Sequence, residues 1–431
     1  MAGAWRGNAK SGWGHERPVS TAGSTTLETG PGQRSDVTRR LFGTLCGLVF
    51  LVNYGRVAFA PLLDAIRTDF GVGAAEVGIV ASLVWVGSAL PRIPVGYLLT
   101  KVPRHRVILG TGALLSAAAA FTAVAPSLSL LRAGAFAIGL ASGAYFVAAV
   151  PLVGELYPDA IGRAVGIHGT ASQLAAVVAP SVAVAILVRW SWRGTFWLLA
   201  AGTAVVTVVL LTVVRSEGVP DSVAADRNFA DALSHWRLIL VGMAMVGSVG
   251  FAWQGVFNFY ISYLTGPKAL PRGLAGNLLT TAFAAGVPAF FLGGRLADRL
   301  PHVPYVLAIV ASFTGTLAAL TAVDSVAGLF VVSAVLGYVV HSIFPAIDTF
   351  LLDSLPAGSR ASAYAVFSGV TLLVEAGGSG AVGLLVDAGF AFDDVFRGFA
   401  AGLVVVFAVL AALALTGRLP GAGSASVDST E

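Results

Sequence analysis

The chain has 431 residues, 56 % of them hydrophobic and only 11 % charged. A soluble domain carries roughly 25 % charged residues, so too few charges are present to coat a water-facing surface, and the mean hydropathy of +0.84 places the chain in lipid. The net charge of +4 does not point to nucleic acid, because Arg and Lys stand singly between apolar runs and form no basic stripe with interleaved aromatics.

Residues 1–40 are polar and rich in Gly, Ser and Thr, with no early apolar core, so they are not a secretory signal. They read as a disordered cytoplasmic tail, because they bury too little apolar area to offset their ordering entropy. Crossing a bilayer takes about 20 mostly apolar helical residues, and in hydrocarbon only a helix pairs the backbone of such a run. Six runs follow, near 41–63, 75–99, 107–125, 130–152, 167–187 and 195–214, giving an N-terminal bundle over 41–215. The polar stretch 216–236 is a cytoplasmic linker. Six more runs, near 238–264, 275–296, 303–322, 326–351, 361–386 and 395–415, form a C-terminal bundle over 237–416, and 417–431 is a second cytoplasmic tail. The expected fold class is an all-α polytopic membrane protein with twelve transmembrane helices, arranged as two pseudo-symmetric six-helix bundles.

Positive loops stay cytoplasmic. With the N-terminus inside, the inner flanks hold Arg34, Arg39, Arg40, Lys101, Arg104, Arg106, Arg163, Arg215, Arg227, Arg237, Arg295, Arg299, Arg360 and Arg418. The outer flanks hold a smaller basic set, Arg67, Arg132, Arg189, Arg193, Lys268, Arg272 and Arg397, beside acids that include Asp64, Asp69 and Asp387. Both termini are therefore expected in the cytoplasm of a multi-pass cell-membrane protein. The single cysteine, Cys46, allows neither a disulfide nor a Cys-based metal site within one chain. No metal or other cofactor is expected.

The two halves repeat. GYLLTKVPRHRVIL from Gly96 aligns with GRLADRLPHVPYVL from Gly294: Gly96 matches Gly294, Leu98 matches Leu296, Lys101 matches Arg299 and Pro103 matches Pro301. At the same separation Glu155 and Pro158 match Asp353 and Pro356. Two distant loop pairs sharing one offset indicate a parallel duplication, with halves related by an axis along the membrane normal.

These loops resemble the hallmark of the major facilitator superfamily, approximately G-x-L-A-D-R-x-G-R-[KR] after the second and eighth helices. Gly294, Leu296, Ala297, Asp298 and Arg299 match it in the second half. Gly96, Leu98, Lys101, Arg104 and Arg106 match in the first, where Thr100 replaces the usual Asp. RIPVG at Arg92–Gly96, WSWRGTFWLL before helix six and ELYP…GRAVG after helix four are similar to the family too, so the resemblance spans about 41–415. It implies two bundles that rock about a central cavity lined by the first, fourth, seventh and tenth helices. It also implies a cytoplasmic latch at Gly96, Arg104, Arg106, Glu155, Gly294, Asp298, Arg299 and Asp353. From the residues alone, Glu155 falls on the face of Arg104 and Arg106, and Asp353 near Arg295 and Arg299; these are latching ion pairs or interfacial charges that only set topology.

Ionisable groups at membrane depth are costly and mark function by default. Arg56 lies about 15 residues into helix one, roughly 22 Å from its cytoplasmic end, and either faces the cavity or snorkels outward. Arg92, near the cytoplasmic third of helix two, joins it as a candidate for an anionic substrate. Gln254 and Asn258 are four apart on helix seven, hence on one face. With Tyr260 they form either a cavity stripe or interhelical packing. Gln173 and His341 are further substrate-binding candidates, whereas His168 reads as a helix-start cap. Glu375, mid-way along helix eleven, is the first choice for proton coupling or else a fixed structural partner, and Asp348 is the second choice.

Among family branches, nitrate porters pair their helix-two Arg with another in helix eight, where this chain has GVPAFFLGG. Drug exporters carry G-x-x-x-G-P in helix five, where it has AVVAP at Ala176–Pro180. No intramembrane protease motif and no phosphate-cradling Gly loop with Lys is present, so the chain reads as no enzyme and no ATP-driven pump. The expectation is a monomeric secondary transporter working by alternating access, leaning to symport of a small organic anion with H⁺ or Na⁺, the proton favoured. Its partners are that small-molecule substrate and the lipid bilayer. A drug or metabolite efflux antiporter, or a non-transporting sensor, is the alternative.

Overall fold

The computed structural model describes residues 31–217, 233–297, 299–355 and 360–420. All long elements in it are helices: α1 (Pro31–Val57), α2 (Leu63–Phe70), α3 (Ala74–Ala89), α4 (Arg92–Leu98), α5 (Arg104–Ala123), α6 (Leu128–Leu156), α7 (Ile161–Arg189) and α8 (Arg193–Glu217), then α9 (Trp236–Thr265), α10 (Arg272–Ala297), α11 (His302–Ala322), α12 (Val326–Ser354), α13 (Arg360–Asp387) and α14 (Phe392–Leu415). Eleven are long and apolar enough to cross a bilayer when α3 and α4 are taken as one span, and a bent pair formed by α1 and α2 makes up to twelve.

The apolar runs locate the spans; the chain's small breaks refine them. Helix α1 starts at Pro31 rather than Leu41, so the end of the expected tail is helical. The run expected to end at Leu63 bends by 40° after Val57, and a short 3-10 turn at Ala60–Leu62 with Pro61 leads into α2. Proline lacks an N–H and its ring clashes with the preceding turn. The same cause separates α3 from α4 at Pro91 and so sets Arg92 at the first residue of a new helix. Residues 1–30, most of the expected linker and the end of the expected second tail lie outside the described residues.

The duplication reappears in packing. In the first half α3 packs on α6, α5 on α6 and α8, and α1 on α6, α7 and α8. The second half repeats each partnership: α10 on α12, α11 on α12 and α14, and α9 on α12, α13 and α14. The halves meet mainly along two seams, α3 against α13 and α7 against α10. The α3–α13 seam is close because it lacks side chains. A Cβ on Gly78 would come within 2.6 Å of the Ser379 carbonyl oxygen, and one on Gly383 would collide with the Ala74 carbonyl. Elsewhere the apolar surface faces outward, with Val205 on α8 and Val405 on α14 about 60 % exposed, as lipid contact requires.

Candidate functional site

Between the halves lies a cavity of about 600 Å³. Its charged lining consists of Arg56 from the last turn of α1, Arg92 from the start of α4 and Glu375 from α13. These groups are within Coulombic range of one another. The Arg56 guanidinium carbon sits 4.0 Å from the centre of the Trp85 ring and 5.4 Å from that of Phe146. This is the geometry of a cation over a π face, and it places Arg56 in the cavity rather than snorkelling outward. The Nε atoms of Arg56 and Arg92 are both buried without a hydrogen-bond partner. Glu375 is 6 % exposed and packs against Gly250 of α9, where any side chain would meet its carboxyl group.

Gln173 of α7 and His341 of α12 also line the cavity, and they are bonded to each other. His341 Nδ1–H donates to the Gly337 carbonyl at 2.7 Å, which leaves Nε2 to accept from the Gln173 amide at 3.3 Å. The same amide donates to the Phe283 carbonyl of α10 at 2.9 Å. Gln173 thus ties the first half to two helices of the second.

Gln254 lines the cavity, but Asn258 and Tyr260 do not. Asn258 donates to Ser379 Oγ at 2.9 Å and to the Gln254 carbonyl at 2.9 Å, and the Tyr260 hydroxyl is paired with Ser333 at 2.6 Å. Both are interhelical packing contacts. Asp348 stands behind the wall, accepting from the hydroxyl of cavity-lining Tyr364 at 2.8 Å. His168 is not a cap: it is buried and bonded to the Tyr145 hydroxyl at 3.0 Å.

On the termini side, Arg104 and Glu155 form an ion pair at 2.6 Å. It joins α5 to α6 inside one half, so it braces that half instead of clasping the two together. Gly96 is buried in α4 and Gly294 half-buried in α10, while Arg106 and Arg299 are exposed. Asp298 and the side chain of Asp353, the acids of the expected latch, lie outside the described residues.

The opposite face carries contacts that the sequence did not reveal. Asp387, ending α13, accepts from the backbone N–H groups of Ala74 and Ala75 at 2.8 Å each, capping the N-terminus of α3 across the seam. Asp64 of α2 accepts from Ser262 Oγ at 2.7 Å and meets Arg272 of α10 at 3.3 Å. This face is closed by bonds between the halves, whereas the cavity lining extends to Arg92, Val150 and Tyr364 towards the termini side.

Two like bundles about a charged cavity that one face seals are the architecture of a membrane carrier. The chain belongs to the Major Facilitator Superfamily, whose family model matches residues 45–269. It is 25 % identical over 286 residues to a probable sulfoacetate transporter of Cupriavidus necator, covering 62 % of this chain and 66 % of that one. It is 23 % identical over 316 residues to a chloramphenicol efflux pump of Mycobacterium tuberculosis, covering 72 % and 73 %. The chain spans 50 to 66 % of the length of four curated relatives that it matches. Its fold matches a bacterial homolog of the human lysosomal transporter Spinster, in an inward-facing and occupied conformation, with TM-score 0.71 and 17 % identity over 91 % of this chain and 98 % of that one. The chain is thus a multi-span membrane protein in a family of carriers rather than enzymes.

Proposed function

We propose that this protein takes up a small organic anion across the cell membrane together with protons, as a monomer with both termini in the cytoplasm. The observation that carries the reading is the charge set of the cavity: two half-buried arginines, each with a buried and unpartnered Nε, and a single carboxylate. A guanidinium fork matches a carboxylate in two parallel bonds. Glu375, out of water between them, is placed to exchange a proton as the anion enters and leaves. Similarity to a probable sulfoacetate transporter supports an anionic substrate.

Similarity to a chloramphenicol efflux pump favours a second reading, export of an uncharged compound. Two cavity-lining arginines with unpartnered Nε atoms count against it, since an uncharged solute would bring no charge to pair with them.

The test is uptake of labelled carboxylates into proteoliposomes under an imposed pH gradient. Arg56→Lys loses one of two charge-assisted bonds, each contributing about 1.5–3 kcal/mol. Its affinity should therefore fall roughly ten- to hundredfold. Glu375→Gln should abolish gradient-driven accumulation yet keep counterflow exchange, which needs no net proton movement. Normal affinity in the first variant removes the anion assignment, and accumulation by the second makes Glu375 structural.

A further inference from the structure

The cavity is chemically two-sided. The cations come from the first half, Arg56 and Arg92, with Trp85 behind Arg56. The second half contributes a continuous aromatic wall from α9, α10 and α12. Trp253 and Phe283 meet edge to face at 5.9 Å, Phe283 and His341 at 6.0 Å, and Phe290 and His341 at 5.9 Å, while Phe290 stacks on Phe344 at 6.0 Å. Rings at these spacings and angles favour a further ring lying among them.

The same wall is poor in free hydrogen-bonding groups. Its His341 is already bonded to the Gly337 carbonyl and to Gln173 of α7, which itself donates to the Phe283 carbonyl, and Gln254 of α9 accepts from Asn258 at 3.3 Å. A hydroxyl-rich anion laid against this wall would give up water without gaining partners. An aliphatic chain would fit, but without the ring–ring contribution. Among the groups that line the cavity two guanidinium groups face one carboxylate, Glu375, while Asp348 stands behind Tyr364, so the lining itself favours a substrate that brings a carboxylate. A volume of about 600 Å³ lies within the range of pockets that enclose small organic ligands.

From these features we propose that the substrate is an aromatic carboxylate of one or two rings, its carboxylate on Arg56 and Arg92 and its ring against the wall built by Trp253, Phe283, His341 and Phe290. This rests on the organic-anion reading above and narrows it to a substrate class.

The test compares benzoate with cyclohexanecarboxylate, which has the same charge and nearly the same shape but a saturated ring, and with uncharged benzamide. Binding is measured by calorimetry on the full chain in lipid nanodiscs. Benzoate should bind roughly two- to tenfold more tightly than cyclohexanecarboxylate, and benzamide at least tenfold more weakly than either. Phe290→Leu, at an exposed position where folding is least at risk, should narrow the benzoate preference over cyclohexanecarboxylate by removing one ring of the wall. Equal binding of the two acids by the wild-type chain overturns the aromatic assignment and leaves the anion reading standing. Benzamide binding as tightly as benzoate overturns the anion reading itself, and binding of none of the three overturns both. A Phe290→Leu chain that unfolds at the wild-type temperature yet keeps the full preference removes Phe290 from the wall.

Discussion

Removing the Asp387 carboxylate should loosen the sealed face. That carboxylate accepts two backbone N–H bonds of 2.8 Å from the start of α3 and sits on the positive end of its dipole. Buried bonds to a charged acceptor contribute about 1.5–3 kcal/mol each. Asp387 is exposed, so water and salt screen it, and about 1–2 kcal/mol for the pair is the appropriate scale. That corresponds to an equilibrium shift of about five- to thirtyfold towards opening. The assay uses the only cysteine to advantage: Cys46→Ala gives a thiol-free chain, and Ala176→Cys then places one small, buried reporter in the cavity lining. A membrane-impermeant maleimide applied from the sealed face should label the Asp387→Ala chain about five- to thirtyfold faster than its parent. Asp387→Asn, which keeps one carbonyl acceptor without the charge, should fall between. Unchanged labelling in a chain of unaltered thermal stability would refute the reasoning.

Gly78→Ala should act in the same direction without touching a charge. Its new methyl meets the Ser379 carbonyl oxygen only while the α3–α13 seam is closed, so the reporter thiol should again label faster. Tyr260→Phe should leave transport KM unchanged and cost stability alone, about 0.6 kcal/mol for one interhelical bond, because its hydroxyl is spent on Ser333 outside the cavity; a shifted KM would return Tyr260 to the site. Reporter domains fused within 218–232 and after Arg418 should both read as cytoplasmic, and an external signal from either would reverse the orientation taken from the loop arginines.

Much of this was legible in the sequence because lipid is a demanding solvent. It forces long apolar runs into helices, and the Gly96 and Gly294 loops announced the duplication that the packing repeats partner for partner. Arg56, Arg92, Gln173, Gln254, His341 and Glu375 stood out for one reason: an expensive side chain in hydrocarbon needs a purpose, and all six line one cavity. Helical spacing was a weaker guide. It put Gln254 and Asn258 on a common face without saying that the cavity ends between them. The aromatic wall was invisible, since Phe and Trp are at home in lipid, in a core or in a site alike. Asp64 and Asp387 read as loop charges marking the outer flank. Nothing in a linear string shows that each finds its partner in the other half.

The stacking of Arg56 on Trp85 beside Arg92 has an electrical consequence. With Glu375 ionised, the empty site holds a surplus positive charge, and an indole face softens that charge without cancelling it. Whatever fraction of the membrane field falls across the cavity then pulls on the unloaded carrier, at about 2.3 kcal/mol per full charge per 100 mV. With the termini in the cytoplasm, as proposed above, a negative interior would itself hold the vacant protein in the arrangement seen here. Binding of a monoanion alone would weaken that sensitivity, and a proton taken up by Glu375 with the anion would restore it to the loaded carrier.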